Sequence, residues 1–276
     1  MTTTRIVTLD IERQSAIVDG VWELKQHGYI RPSQIIVPAR TICFAWKWLG
    51  DDEDKIHFSA EWDPDDLGNY EQPGPNREVY QGHEAMIRKA WEVLDEADYV
   101  IGWNSSKFDM GNLRSHMAEY HMGPPSPWKD IDLIKVSRSR FGFMSHKLAE
   151  VAERLGHDGK YETGGDLWHR LRWEDGTTLR DARDLMRTYN KRDVALTEEL
   201  YEELLPWIPS LNIYDDLRMD PDDSPDLRCR RCGSLDLQWR GTYRGITYWY
   251  KKFQCNRCKG WGKSQKNFYS METSSV

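Results

Sequence analysis

A mixed α/β fold, one sheet flanked by helices with a small separate module at the C-terminal end, is what three observations predict for this chain of 276 residues. Three β-patterned segments come first, then helical and strand-like patterns alternate, and the last pattern is a long amphipathic stretch after which the charge balance inverts.

The long stretch, Thr178 to Leu205, organises the rest. Taken at about 100° per residue, Ala182, Leu185, Met186, Tyr189, Asp193, Leu196, Leu200 and Leu204 fall into one stripe, the face a helix turns toward a core. Asp193 lies inside that stripe. A carboxylate buried without a partner is costly, so a helix that turns one inward needs a cation, a dense hydrogen-bond network or a proton there. A helix end where Asp193 reaches solvent past short neighbours fits the same pattern. Tyr189 is one turn earlier on the same face, so a phenol and a carboxylate point into one space.

The earlier elements read in order. Arg5 to Ile11 (RIVTLDI) is an apolar strand running into Asp10-Ile11-Glu12. Strand side chains alternate, so Asp10 and Glu12 lie on one side of the sheet, about 7 Å apart along it and within reach of a shared cation. Acidic pairs at strand ends are also common as solvated edges. Ser33 to Trp48 and Lys55 to Trp62 are rich in β-branched and aromatic residues and flank the turn Leu49-Gly50-Asp51-Asp52, which makes an antiparallel meander with the first strand. Cys43, inside the apolar run, reads as a buried thiol rather than a ligand. Asp63 to Arg77 is broken by prolines and glycines and reads as loop.

Gly82 to Asp98 has a helical apolar face, and Tyr99 to Trp103 (YVIGW) is a short strand too uniformly apolar for a sheet edge. Asn104-Ser-Ser-Lys-Phe108-Asp109 follows it, then a helical pattern through Met117. Asp109 thus stands where a strand hands over to a helix, near the positive helix end, where an aspartate also serves as a cap. Asp130 to Ile134 reads as a strand and Ser145 to Leu155 as a helix that Gly156 ends. The run through Trp173-Glu174-Asp175-Gly176 reads as irregular.

Hydrophobic residues make up 39% and charged residues 30% of the chain, as in soluble globular proteins. No apolar run approaches the ~20 residues needed to span a bilayer. The start, MTTTRIVTLDIE, carries one basic residue and runs straight into a strand pattern. It reads as a chain without a signal peptide, and a cytoplasmic location is expected, in the host cytoplasm if the protein is phage-encoded.

The net charge of -7 conceals two pieces: from Arg228 onward 11 Lys/Arg face 2 Asp/Glu, a net of +9, and the preceding 227 residues carry -16. Such asymmetry points to an attached module with an anionic partner. Tyr214 to Leu227, with six aspartates and two prolines, reads as an extended linker. The expected division is 1–213, 214–227 as acidic linker, 228–263 as the module, and 264–276 as a mobile tail. Four of the five cysteines fall in the module, as Cys229-Arg-Arg-Cys232-Gly and Cys255-Asn-Arg-Cys258-Lys-Gly with 22 residues between the pairs. That spacing suits a zinc ribbon in which four thiolates hold one structural Zn²⁺ and leave no open catalytic position. Interleaved cations and aromatics on it fit a nucleic-acid surface; aromatics packing a small core, with charges facing water or a protein partner, fit it too.

Taken together, the DIE at Asp10 to Glu12, the NSSKFD at Asn104 to Asp109 and the YNKRD at Tyr189 to Asp193 resemble the three motifs of the DEDD superfamily of 3′–5′ exonucleases (DnaQ-like, ribonuclease H-like fold), in its DEDDy branch. The stretch FMSHKLAEVAERLG also looks like the segment these enzymes carry between the second and third motifs. The resemblance covers roughly residues 1 to 205. Position 13 is Arg where many relatives have a small hydroxyl residue. The resemblance implies a ribonuclease H-like mixed sheet and two hard cations, Mg²⁺ or Mn²⁺. Asp10 would bridge both, Glu12 and Asp193 would complete the position nearest the attacking water, and Asp109 would help hold the other. Tyr189 would orient that water; Asn104 and Phe108 would shape the pocket for the terminal nucleotide.

The chemistry of the residues agrees: four carboxylates in one pocket repel, and oxygen-only donors select hard ions over zinc. The activity the resemblance implies is 3′–5′ hydrolysis of phosphodiesters in single-stranded DNA to nucleoside 5′-monophosphates, in replication, repair or recombination, with replication or repair proteins as further partners and no membrane. Two alternatives stay open, an exoribonuclease on the same fold and a non-catalytic zinc-ribbon adaptor with an idle pocket.

Overall fold

Alternation in the first strand decides where everything else goes. In the computed structural model, which describes residues 4–21, 29–63, 82–159, 163–209, 213, 228–245, 248–264 and 269–270, this strand is β1 (Ile6–Gln14). Val7, Leu9 and Ile11 are buried on one side; Thr8, Asp10 and Glu12 point to the other. After it come β2 (Ile17–Val18), β3 (Ile35–Val37), β4 (Arg40–Trp48), β5 (His57–Ala60), α1 (Gly82–Asp95), β6 (Tyr99–Gly102), α2 (Asp109–Glu119) and β7 (Lys129–Asp132). Then follow α3 (Leu133–Arg140), α4 (Leu148–Leu155), α5 (Leu167–Trp173) and α6 (Gly176–Leu204).

The main sheet has the order β5-β4-β1-β6-β7, with β1 in the middle. β1, β4 and β5 run antiparallel as the expected meander, and β6 and β7 join in parallel. The Tyr99 strand is interior, as its uniform apolarity implies. One face packs α1 and α2 through Val7, Leu9, Ile11, Phe44, Met86, Leu94 and Leu113. The other carries Ile42, Cys43 and Ala60 against Leu167 and Leu171 of α5 and Ala182, Met186 and Tyr189 of α6. This is a ribonuclease H-like mixed sheet between helices.

Several boundaries differ from expectation. Ser33 to Trp48 is not one strand: Pro38, which has no N–H to donate, separates β3 from β4, and β3 pairs back onto β2 as a small hairpin. The strand expected at Asp130 to Ile134 stops at Asp132, and α3 begins at Leu133. The stretch before Gly176 holds α5, whose Leu167 and Leu171 are buried one helical turn apart. Gly156 ends α4 at φ 87, the left-handed geometry glycine adopts without strain.

The described residues fall into two compact units, one within Arg5–Lys135 and Phe143–Glu199, the other holding Val136–Gly142 and the described residues from Leu200 on. In the second unit, β8 (Leu237–Arg244), β9 (Tyr248–Cys255), β10 (Trp261–Lys263) and β11 (Tyr269–Ser270) form a sheet centred on β9. The Asp63 to Arg77 loop beyond Asp63 and the 214–227 linker lie outside the described residues. So does most of the tail expected from Ser264, within which Tyr269–Ser270 pair with β9. Among the described residues no helix is long and apolar enough to cross a membrane.

Candidate active site

Asp10 and Glu12 stand opposite Ala45 and Cys43 of β4, on the sheet face that α6 covers. α6 presents Asp193 to them, one turn beyond Tyr189, and buries it to 2% exposure. One carboxylate oxygen from each of Asp10, Glu12 and Asp193 lies within 4.8 Å of the others. Ligands of one hard cation, at about 2.0 to 2.6 Å from the ion, have this mutual separation. The donor set is oxygen only, so Mg²⁺, Mn²⁺ or Ca²⁺ fits it and a thiophilic metal does not.

The approach of α6 to β1 is fixed by Asn190, the second residue of the YNKRD motif. Asn190, fully buried, donates from Nδ2 to Asp10 Oδ2 at 2.7 Å and to the Asp10 carbonyl at 3.3 Å. Two turns further along α6, Glu198 receives both oxygens' worth of contact from the buried Lys47 ammonium of β4, each at 2.8 Å. Asn190 lies inside the YNKRD motif, but only its burial in the fold shows that its amide needs a partner.

Asp109 is the first residue of α2; the cap position belongs to Phe108, and no side-chain cap bond is made. Its carboxylate reaches across to β1 instead, where Oδ1 accepts the amide of Ile11 at 3.0 Å. That amide lies between Asp10 and Glu12, so Asp109 borders the acidic trio while standing outside the 4.8 Å group. Burial pushes its pKa up to about 7, Asp132 adds to the rise, and the Ile11 bond opposes it.

Asp132 is a residue the motifs did not flag. It accepts the Asn104 amide at 2.9 Å and the Ser106 hydroxyl at 2.6 Å, holding the turn between β6 and α2. Asn104 takes φ 66 there, a conformation asparagine tolerates better than most residues. The turn also needs Gly102, because a Cβ at that position would lie 2.4 Å from Ser105 Cβ and 3.3 Å from the Leu9 carbonyl. Phe108 is 41% exposed and not part of the core; the Arg13 guanidinium lies 5.9 Å from its ring centre. The Tyr189 ring is buried and meets Trp168 edge-on at 6.0 Å. Cys43 is fully buried, and its thiol is pushed well up by burial first and then by Glu12 and Asp10.

In the second unit the four cysteine sulfurs of Cys229, Cys232, Cys255 and Cys258 lie within 4.8 Å of one another. The Cys229–Cys258 and Cys232–Cys255 separations are both 3.6 Å. A tetrahedron of thiolates about 2.3 Å from a central zinc has edges close to this value. The contact with Cys258 pushes the Cys229 thiol down to about 5 and that of Cys258 up.

The chain belongs to the RNase_H superfamily, whose model matches residues 66–205. Over 146 residues it is 25% identical to DNA polymerase II of Escherichia coli (strain K12), an alignment covering 43% of this chain and 18% of that protein. It therefore spans less than a fifth of the length of this curated relative. Among solved structures, the family B DNA polymerase from the hyperthermophilic archaeon Pyrobaculum calidifontis aligns over 74% of this chain and 25% of that one, at 20% identity and a TM-score of 0.46. The superfamily and the acidic trio together support nuclease activity with divalent metals.

Proposed function

We propose that the protein is a two-metal 3′–5′ exonuclease that removes nucleoside 5′-monophosphates from the 3′ end of single-stranded DNA. The observation that carries this reading is the meeting of Asp10, Glu12 and Asp193 oxygens within 4.8 Å on the face of β1 that α6 covers. Magnesium or manganese bound by these oxygens, with Asp109 alongside, would supply Lewis-acid activation of water and charge neutralisation at the phosphodiester.

The chain's own residues do the positioning. Asn190 fixes the direction of the Asp10 carboxylate, and the Ile11 amide does the same for Asp109. Tyr189, on the helix face that carries Asp193, orients the attacking water through its hydroxyl; a neutral phenol is a poor base near pH 7, so its role is geometric. Phe108 offers an exposed ring at the α2 end of the site, with the Arg13 cation beside it, as a stacking and charge contact for the terminal nucleotide. Asn104 holds the turn that presents that ring. On this reading residues 1–213 are the nuclease domain and 228–263 a ribbon built on one structural Zn²⁺, joined by the 214–227 linker, and the protein assists replication, repair or recombination from the cytoplasm.

The test is digestion of a 5′-labelled single strand by purified protein with magnesium, beside matched RNA and duplex substrates. A ladder shortening from the 3′ end, lost in Asp10→Ala and in Asp193→Asn while both variants stay folded, is the expected result. Preference for RNA would make the enzyme an exoribonuclease. Absence of any cleavage by the parent would leave a nucleic-acid adaptor with an idle pocket.

A further inference from the structure

The ribbon sheet has two unlike faces. Directly opposed residues of antiparallel strands point to the same side, as do residues two apart on one strand. Tyr243 opposes Tyr250, Lys263 opposes Lys252, and Trp261 opposes Gln254. Tyr243, Tyr248, Tyr250, Lys252, Trp261 and Lys263 therefore share one face. The opposite face carries Phe253 and Cys255, at 3% and 0% exposure, and so holds the ribbon's own core, with Trp239 at its border, 48% exposed and paired with Phe253 edge-on. Gly262 lies so close to the Phe253 ring that a Cβ there would meet it at 2.4 Å, which seals that core under β10.

The first face is consequently not core. Tyr243 and Trp261 are each 48% exposed and Tyr248 is 42% exposed. The Lys263 ammonium lies 4.4 Å from the Tyr250 ring centre and 4.9 Å from that of Tyr243, and Lys252 lies 5.1 Å from that of Trp261. The Tyr243 and Tyr250 rings are tilted by 46° with centres 6.5 Å apart, so they do not cover each other. Asp236 is the one acid between Arg228 and Ser264 in the sequence, and its carboxylate is engaged by Asn256 Nδ2 at 2.7 Å.

We propose that this tyrosine, tryptophan and lysine face of the ribbon binds single-stranded nucleic acid, its rings stacking unpaired bases and its lysines meeting phosphates. A duplex hides its base faces, and an acidic peptide would engage the lysines and leave the rings exposed; a single strand uses both. The surface is separate from the carboxylate trio and binds whether or not that trio hydrolyses the strand.

The test uses the full chain carrying Asp10→Asn, which leaves the strand intact, and fluorescein-labelled oligothymidylate followed by anisotropy. Tyr243→Ala with Trp261→Ala should weaken binding by about 10- to 100-fold, in line with the loss of one or two base stacks. Tyr243→Phe with Trp261→Phe should bind within about threefold of the parent, since the rings remain. Lys252→Gln and Lys263→Gln, which leave the rings in place, should each lower the slope of log affinity against log salt by about 0.7. Zinc content and thiol reactivity confirm that each ribbon is folded. If the alanine pair unfolds it, the lysine variants decide, and an unchanged slope overturns the proposal. So does unaltered affinity in a folded alanine pair, or equal binding of duplex or polyglutamate. Hydrolysis of a labelled strand by the protein with Asp10 intact is scored separately, so failure of this surface and failure of the nuclease reading give different results.

Discussion

Asn190 Nδ2 and Asp10 Oδ2 lie 2.7 Å apart, a fully buried amide holding one oxygen of a carboxylate in the acidic trio. The same amide reaches the Asp10 carbonyl, so α6 grips both the side chain and the backbone of β1 at the point where the site forms. Supporting hydrogen bonds of this kind orient metal-binding carboxylates, and their loss costs about 10- to 100-fold in metal affinity or activity. Asn190→Ala is expected to raise the magnesium concentration for half-maximal nuclease activity by that factor, and to cost about 1 kcal/mol of stability. A magnesium titration of parent and variant checks it; superimposable curves would sink the positioning role.

Gly102 and Ser105 set up a second prediction. The chain leaves β6 with so little room that an added Cβ meets Ser105 Cβ at 2.4 Å. Gly102→Ala must push the turn bearing Asn104, Phe108 and Asp109 away from β1 or strain it, at a cost of about 1 to 3 kcal/mol. The measurement is chemical denaturation together with nuclease rate. The rate should fall further than stability alone accounts for, because Asp109 loses its register on the Ile11 amide.

Much of this was legible in the sequence because the signals were local. Alternation placed Asp10 and Glu12 on one side of β1, and the 3.6-residue period put Tyr189 and Asp193 on the inner stripe of α6. The helices α3 and α5 were not legible. LIKVSRSR carries two β-branched residues, Ile134 and Val136, and two serines, and LWHRLRW has seven residues, too few for a periodic stripe. Asn190 and Asp132 escaped for another reason. Each acts on a residue far away in sequence, Asn190 on Asp10 and Asp132 on the turn at Asn104, and nothing in one chain's spacing announces such partners.

The cysteine cluster carries the third prediction. A four-stranded sheet in which, among the described residues, little is buried besides Cys229, Phe253 and Cys255 depends on its metal for folding. Strong chelation, or Cys232→Ser, is expected to expose the remaining ribbon thiols to a thiol reagent while Cys43, buried on β4 beneath α5 and α6, stays protected. Mass-spectrometric mapping of labelled cysteines distinguishes the two populations. Ribbon thiols that stay unreactive after the metal is stripped would contradict the metal's structural role.

His83 gives the pH dependence. It is 2% exposed near the start of α1, its Nδ1 is 2.7 Å from the Tyr120 hydroxyl, and its ring meets His116 edge-on at 4.8 Å. His116 accepts the Thr41 amide at Nε2 and so turns Nδ1 toward Glu119, while Arg40 is held in a buried pair with Glu61 at 2.7 Å. Burial, then His116, then Arg40 push the His83 pKa down from the ordinary 6.5 to about 3, against a smaller upward pull from the Thr41 backbone. Between those two values the unfolded chain takes up a proton that the folded chain refuses. The stability from neutral His83 is therefore complete above about pH 6.5 and is lost progressively as pH falls toward 3. His83→Leu removes that titration. The variant gives up the Tyr120 bond at neutral pH, so its melting temperature at pH 7 should be lower than the parent's, yet the gap should narrow steadily on acidification to pH 4. A gap that stays constant across this range would show that His83 is not protonated on unfolding and would place the acid sensitivity elsewhere.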